Sequence, residues 1–170
     1  MAGDEERRLV LAPLTREAFA PFGEVVDAAS ACERYPINDG LTQRHHDLGR
    51  VDCDAGGGVA ALSLFRAQPV DDSFRLRSME RHPLASQAFI NIAAARYAVV
   101  VAPPGELHED AIKGFLAAPG QSVNYLRGTW HHFLLVLDAP ADFVVVDRVG
   151  PGRNCDEQAL RTPLRLVLPS

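Results

Sequence analysis

Six histidines are the residues best suited to chemistry in this chain, and they are unevenly placed: His45-His46, His82, His108 and His131-His132. An imidazole titrates near neutral pH and can act as an acid, a base or a metal ligand. Because consecutive side chains of a strand point to opposite faces of a sheet, at most one histidine of each adjacent pair can face a given interior. We expect the other to be structural or exposed to solvent. His108 lies in a loop rich in proline, glycine and glutamate, and we predict no function for it.

The segment that leads to the last histidine pair has a specific spacing. Gly120 is followed by five residues, Leu126, one residue, Gly128, two residues and His131. This pattern resembles the second cupin motif, in which a proline stands at the position of Leu126. In cupins the histidine of this motif is a metal ligand that projects into a β-barrel. The resemblance therefore nominates His131 as an inward-facing ligand.

A second group of residues resembles the first cupin motif in its spacing but differs in residue types. Glu80, one residue, His82, four residues and Gln87 stand where cupins carry two histidines and a glutamate. Residues 80 and 82 share a strand face. We expect residue 87 to return on the neighbouring strand and His131 to approach from another hairpin. The four side chains are therefore predicted to form one inward-facing cluster.

Two chemical states are open for the cluster of Glu80, His82, Gln87 and His131. Two imidazoles, a carboxylate and an amide oxygen can hold a divalent first-row metal such as Ni²⁺, Mn²⁺ or Zn²⁺. Because an amide is a weaker ligand than a carboxylate, the alternative is a metal-free, hydrogen-bonded pocket. No organic cofactor is expected.

The elements that must position this cluster are nearly all strands. Short apolar or alternating runs are separated by turn sequences rich in glycine and proline, a spacing typical of a sandwich or barrel. A single short helix is predicted over residues 15–20, capped by Thr15 and ended by Pro21. The predicted strands cover residues 8–11, 25–27, 41–47, 59–67, 74–81, 87–92, 98–102, 112–116, 122–126, 130–137, 143–147 and 164–168.

Composition excludes several classes of protein. The chain has 170 residues, 47% of them hydrophobic, and its 17 Lys+Arg against 22 Asp+Glu give a formal charge of −5. This predicts one globular domain, residues 1–170, rather than a disordered chain. The acidic balance argues against a nucleic-acid partner, and no apolar run approaches the roughly 20 residues of a membrane span. Three cysteines without a CxxC pair favour a reduced, cytoplasmic protein.

Ten short segments carry a closer resemblance, and they occur in order between residues 9 and 157 without large gaps. They are INDGL (37–41), RHHDL (44–48), RAQP (66–69), ERHPL (80–84), QAF (87–89), VNY (123–125), WHH (130–132), DF (142–143), DR (147–148) and NCD (154–156). Together they are similar to the ureidoglycolate lyase family, formerly called ureidoglycolate hydrolases.

This resemblance implies both a fold and an activity. The fold is an all-β, cupin-like double-sheet barrel, or jelly roll, with one or two short helices, usually as a homodimer. The activity is the splitting of (S)-ureidoglycolate into glyoxylate and urea in allantoin and purine catabolism, a carbon–nitrogen lyase reaction. Two other hypotheses stay open: another metal-dependent cupin enzyme, and a non-catalytic cupin that binds a small carboxylate or ureide.

For the lyase reaction, the catalytic residues are predicted within the cluster. Elimination from ureidoglycolate requires a base for the hydroxyl group, an acid for the departing nitrogen and a cation for the carboxylate. His131, with His82, is assigned to the metal or base position. Glu80 is assigned as their partner or as the general acid.

Substrate-binding residues are predicted around these. Lys113 is the leading carboxylate anchor because it interrupts an apolar segment, although a solvent-facing strand residue would also fit. Two arginines are alternatives, and two amides and one histidine complete the set. The set is Arg66 and Arg148 for the carboxylate, Asn124 and Gln87 for the ureido amide, and His45 oriented by Asp47 on the same strand face.

Overall fold

The computed structural model describes residues 7–169, and strands dominate it. In chain order they are β1 (Arg7–Val10), β2 (Ala12–Pro13), β3 (Gly23–Val26), β4 (Glu33–Ile37), β5 (Thr42–His46), β6 (Val59–Ala67), β7 (Leu76–Arg81), β8 (Gln87–Asn91), β9 (Tyr97–Ala102), β10 (Lys113–Ala117), β11 (Ser122–Tyr125), β12 (Trp130–His131), β13 (Leu135–Val136), β14 (Ala141–Val149) and β15 (Asp156–Val167). The helical elements of this range are α1 (Arg16–Phe19) and two 3-10 turns, Ala55–Gly57 and Glu109–Ala111.

Two sheets form a nearly closed barrel. The larger has eight strands in the order β1-β15-β7-β12-β9-β10-β2, with β13 added to β9, and the smaller has the order β3-β11-β8-β14-β6. In the described part of the chain, β4 and β5 pair only with each other. This architecture confirms the predicted all-β, double-sheet barrel of cupin type with short helices. Within residues 7–169, no helix is both long enough and apolar enough to cross a membrane.

The central strand β9 explains why the barrel has two apolar layers. All six of its residues, Tyr97–Ala102, are buried. Val99 and Val101 belong to the layer between the two sheets, which also contains Phe19, Phe22, Phe115 and Phe143. Val100 belongs to a second layer with Leu76 and Leu164 on the outer side of the large sheet. A strand covered on both faces needs a continuous apolar sequence, as β9 has.

The predicted elements agree with the structure except at a few positions. Helix α1 lies inside the predicted range, and the hydroxyl of Thr15 accepts a hydrogen bond from the Ala18 amide at 3.2 Å. The strand predicted over residues 130–137 is interrupted, because His132–Leu134 separate β12 from β13. Strand β15 begins eight residues before the predicted start at residue 164, and strands β2 and β4 were missed. Both contain a proline, which cannot donate to a ladder and therefore weakens the strand signal.

The crossing from β7 to β8 sets the geometry of the candidate site. Glu80 lies on β7 in the large sheet, whereas Gln87 begins β8 in the small sheet. The expectation that residue 87 returns on the neighbouring strand was therefore wrong: the chain crosses to the opposite sheet. As a result, Gln87 reaches the cluster from the other wall of the barrel.

Candidate active site

A row of cross-strand partners carries His131 into the barrel. His131 pairs with Glu80 on β7 and with Val101 on β9, and Val101 pairs in turn with Lys113 on β10. Directly opposed residues of an antiparallel ladder share one face of the sheet. Val101 packs in the layer between the sheets, so this whole row is on the inner face. The backbone register alone therefore places a carboxylate and an imidazole side by side inside the barrel.

The structure brings all four predicted cluster residues together. Oε1 of Gln87 lies 3.1 Å from Nε2 of His82 and 3.2 Å from Nε2 of His131. Oε1 of Glu80 lies 3.5 Å from Nε2 of His131. The two imidazole rings are 5.1 Å apart between centroids. The side chains converge as predicted, although Gln87 comes from a different sheet.

Backbone carbonyls fix the orientation of both imidazoles. Nδ1 of His82 lies 2.6 Å from the carbonyl oxygen of Asn154, and Nδ1 of His131 lies 3.1 Å from that of Thr129. A carbonyl oxygen can only accept a hydrogen bond, so Nδ1 carries the proton in each ring. In the neutral rings, both Nε2 atoms therefore direct lone pairs at the cluster.

The cluster has more hydrogen-bond acceptors than donors, and it therefore attracts a cation. Two Nε2 lone pairs, the Glu80 carboxylate and the Gln87 oxygen all accept, and ligand atoms of Glu80, His82 and His131 lie within 4.8 Å of one another. These donors fit a divalent first-row metal. A proton on one imidazole, or rotation of the Gln87 amide so that its NH₂ donates to both rings, also satisfies the lone pairs. Each of these solutions places a positive charge or a donor at the same point.

Burial and charge set the protonation states around His131. Its side chain is only 1% exposed, and its ring stacks on Tyr125 with centroids 4.3 Å apart. When Nε2 of His131 carries a proton, its hydrogen bond to the carboxylate lowers the pKa of Glu80, and this outweighs the opposite effect of burial. Burial raises the pKa of Tyr125, and the Glu80 charge raises it further. Glu80 is therefore a carboxylate at neutral pH, whereas Tyr125 stays protonated.

The neighbouring His132 has a structural role. It lies on the opposite side of the strand from His131, is also buried, and packs edge-on against Phe74 with centroids 5.7 Å apart. Burial lowers the pKa of His132 to about 4, so the ring is neutral in a neutral solution. This is one of the two outcomes expected for the second histidine of the pair.

The cluster opens to solvent through a cleft of about 500 Å³. His82 and Gln87 line the cleft, and residues of the segment Asp147–Cys155 form most of the rest of its wall. This volume suits a small-molecule ligand. His131 lies behind His82 and Gln87, so a bound molecule would meet His82 first.

Arg148, predicted to bind substrate, contacts backbone carbonyls. Its guanidinium donates to the carbonyl oxygen of Ala55 at 2.8 and 3.1 Å and to that of Pro151 at 2.7 Å. Only 9% of the residue is exposed. Arg148 nevertheless lines the cleft, so its predicted contact with substrate stays a prediction. The sequence shows the charge but not the carbonyl groups that two distant turns bring to it.

Two other predicted substrate-binding residues lie on the outer face of the small sheet. The amide of Asn124 donates to the Glu24 carboxylate at 2.7 Å and to the Arg50 carbonyl at 2.8 Å. Arg66 is exposed and forms a two-point ion pair with Asp142 at 2.8 and 2.9 Å. The structure therefore does not bring Asn124 or Arg66 to the cluster, because alternation along β11 and β6 turns both side chains outward.

Lys113 and His45 are only partly in the predicted positions. Lys113 lies on the inner row, but its ammonium is 6.0 Å from the centroid of the Phe22 ring and the residue is exposed. His45 lies on the separate β4-β5 hairpin. Asp47 follows this strand with φ of +58° and bonds Arg50. The predicted pairing of His45 with Asp47 was wrong, because a positive φ ends the alternation on which it relied.

Sequence analysis assigned no role to several residues that shape the site. Thr129 and Asn154 supply the carbonyls that orient the histidines, and Tyr125 supplies the stacking surface. Cys155 lies beside Glu80 and, with Arg153, lines the cleft. The only signal for Asn154 and Cys155 was the NCD segment. Backbone acceptors are independent of residue type, so no motif could reveal Thr129.

Comparison with known proteins gives one consistent result. A family model described as ureidoglycolate lyase matches residues 6–167. A protein of Burkholderia cepacia named ureidoglycolate lyase is 57% identical over 145 residues, covering 85% of this chain and 81% of the relative. Proteins of the same name from Pseudomonas aeruginosa strain LESB58 and Chelativorans sp. strain BNC1 are 43% and 40% identical over 163 residues, covering 95–96% of this chain and 96–98% of the relatives.

Proposed function

The chain belongs to the ureidoglycolate lyase family, and on this basis we propose that it splits (S)-ureidoglycolate into glyoxylate and urea in allantoin and purine catabolism. The observation that carries the proposal is the acceptor-rich cluster of Glu80, His82, Gln87 and His131 at the inner end of the cleft. A site that holds a proton between imidazoles and a carboxylate suits this elimination.

The reaction requires one proton to leave oxygen and one to reach nitrogen. The substrate carbon carries a hydroxyl group and the ureido nitrogen. When the O–H proton leaves, its electron pair forms the C=O bond of glyoxylate, the C–N bond breaks, and its electrons pass to nitrogen, which gains a proton as urea. Because oxygen and nitrogen are attached to the same carbon, one well-placed imidazole can serve both atoms.

The geometry suggests how this chain's residues divide the work. Nε2 of His82 is the cluster atom nearest the cleft with a free lone pair, and it accepts the hydroxyl proton. The Glu80 carboxylate and the buried His131 stabilise the positive charge that this transfer creates. The lowered pKa of Glu80 makes it a poor general acid in the free protein, so we assign it the partner role. Gln87 orients both rings.

A divalent metal also fits this donor set. Glu80, His82, Gln87 and His131 would hold it, as Ni²⁺, Mn²⁺ or Zn²⁺. When bound, the metal would supply Lewis acidity that lowers the pKa of the substrate hydroxyl. No organic cofactor is part of the proposal.

The test is direct. Purified protein is mixed with (S)-ureidoglycolate, and the release of glyoxylate and urea is followed before and after chelation, with add-back of each metal and measurement of bound metal. Equimolar release of both products is expected, with loss of turnover in a His131→Ala variant that keeps its circular dichroism spectrum. Binding without turnover would favour a non-catalytic carrier, and turnover that survives complete metal removal would exclude a required metal.

We further propose one cytoplasmic domain, 1–170, acting as a homodimer. Free cysteines fit a reducing compartment. For the dimer, the support is the edge strand β6, where Leu62 and Leu64 are 77% and 59% exposed on one face. Such a surface is typical of an interface. Light scattering should give twice the chain mass, and the double change Leu62→Glu, Leu64→Glu should give monomers; a monomeric wild-type protein would refute the dimer.

A further inference from the structure

The cleft needs a cation for the substrate carboxylate, and each of the three predicted cations already contacts other groups of the protein. Arg66 is paired with Asp142 on the outer face of the small sheet. Arg148 lines the cleft, but its Nε and Nη2 donate to backbone carbonyls. Lys113 lies over the Phe22 ring and does not line the cleft. Arg153, which had no predicted role, lines the cleft with its side chain largely exposed.

The loop that carries Arg153 is held at both ends. The Arg148 guanidinium donates to the carbonyl of Pro151 at 2.7 Å. Asn154 accepts from the Leu84 amide through its side chain at 2.8 Å and from His82 through its carbonyl at 2.6 Å. The backbone at residue 153 is therefore fixed relative to His82, which keeps the loss of conformational entropy on ligand binding small.

The Arg153 side chain keeps its outer donors available. Its Nε donates to the Cys155 carbonyl at 3.0 Å, and the same atom lies 3.6 Å from the Asp156 carboxylate. Asp156 is more closely paired with Arg81, at 3.0 Å. Within residues 7–169, neither terminal nitrogen of Arg153 makes a hydrogen bond, and the side chain is 79% exposed. Its guanidinium edge can therefore receive a carboxylate in two-point fashion.

We propose that Arg153 binds the carboxylate of the substrate and determines specificity for 2-substituted acetates over neutral ureides. This inference rests on the proposed lyase function. With the carboxylate on Arg153, the adjacent carbon and its hydroxyl group lie toward His82 and Gln87, which line the same cleft. Asp147, also in the wall, can accept from the ureido N–H groups. Arg148 is then a positioning residue, because it holds the loop rather than the ligand.

The experiment compares Arg153→Met and Arg153→Lys with wild type in steady-state kinetics. We expect Arg153→Met to raise KM for ureidoglycolate about 10- to 100-fold with kcat within about threefold, and Arg153→Lys to recover part of the loss. Inhibition by glyoxylate, an anion, should weaken by the same factor, whereas inhibition by urea, a neutral molecule, should not change. Arg96→Met is the matched control, since Arg96 is an exposed arginine paired with Asp138 away from the cleft.

The outcomes separate this inference from the proposed function. An Arg153→Met variant whose KM and glyoxylate inhibition stay within twofold of wild type would overturn the assignment, as would a fall in kcat with unchanged KM. Absence of turnover in wild type would refute the lyase function alone. In that case, calorimetric binding of glyoxylate to wild type and Arg153→Met still decides whether Arg153 is the carboxylate anchor.

Discussion

Glu80 and Glu109 are two largely buried glutamates in different parts of the barrel, with side chains 26% and 5% exposed. Glu109 is surrounded by donors: Arg7 at 2.7 Å, the Arg161 amide at 2.8 Å and the Arg161 guanidinium at 3.3 Å. Glu80 lies instead beside an imidazole, with its Oε1 3.5 Å from Nε2 of His131, and no arginine or backbone amide of residues 7–169 donates to it.

The difference shows how a carboxylate that stabilises the fold can be distinguished from one that takes part in binding or catalysis. Burying a carboxylate costs free energy unless donors compensate it. Around Glu109 the protein supplies those donors itself, so the group stabilises the fold. Around Glu80 the cost of burying the carboxylate is not fully compensated until a proton or a metal binds nearby, so this site favours binding of a cation. Accounting for donors and acceptors, rather than burial alone, separates the two sites.

The largest effect is expected from Glu80→Gln. This change keeps the shape of the side chain and removes the charge that stabilises a protonated imidazole, so kcat should fall about 10²- to 10⁴-fold. The melting temperature should stay within a few degrees of wild type or rise, because an uncompensated acceptor is removed. Activity assays and thermal unfolding check both points. Retained kcat, or a strongly destabilised variant, would show that Glu80 resembles Glu109 after all.

The matching change, Glu109→Gln, should do the reverse. It weakens the hydrogen bonds with Arg7 and Arg161, and we expect a loss of about 2 kcal/mol in the free energy of unfolding. The value of kcat should stay within twofold of wild type. Urea unfolding followed by fluorescence measures the first quantity. A variant as stable as wild type would contradict the structural role.

A pH series sharpens the same contrast. Burial raises the pKa of Glu109, but the hydrogen bonds from Arg161 and Arg7 outweigh burial and hold it below the usual 4.5. The folded state therefore binds this proton less tightly than the unfolded state does. Stabilisation by Glu109 is fully present above the unfolded pKa and is lost as pH falls through the lower folded value. The stability gap between wild type and Glu109→Gln should accordingly narrow as the pH falls below 4.5; a gap that persists in strong acid would argue against an ionic cause.

The smallest effect is expected from Lys113→Met. Lys113 shares the inner row with Glu80 but not the cleft. If Arg153 binds the carboxylate, KM should change less than about threefold and by much less than in Arg153→Met. A larger rise in KM for Lys113→Met than for Arg153→Met would show that Lys113 binds the carboxylate, as the sequence analysis predicted.

The sequence predicts local features well where one face of a strand must be apolar. The continuous run of β9 and the capped turn at Thr15 were identified because burial and capping leave direct marks on residue type. The cluster was predicted from a different signal. Glu80, His82, Gln87 and His131 have the spacing of a known motif.

What the sequence does not reveal is the partner of a polar group across the fold. Nothing in the sequence shows that Arg148 donates to the carbonyls of Ala55 and Pro151. Asn124 turns away from the site because of its register on β11. Arg153 carries the same charge in a glycine-rich loop, and only the three-dimensional arrangement shows that its outer donors remain available. The sequence shows which side chains are charged, but the groups that pair with them are set by the three-dimensional fold.

Strand β9, covered on both faces and hydrogen-bonded to β10, β12 and β13, has a consequence for the motions of the site. Its amide protons should exchange with solvent deuterium only when the whole protein unfolds. His131 is attached to this strand through β12. The histidine therefore sits on the slowest-exchanging part of the molecule.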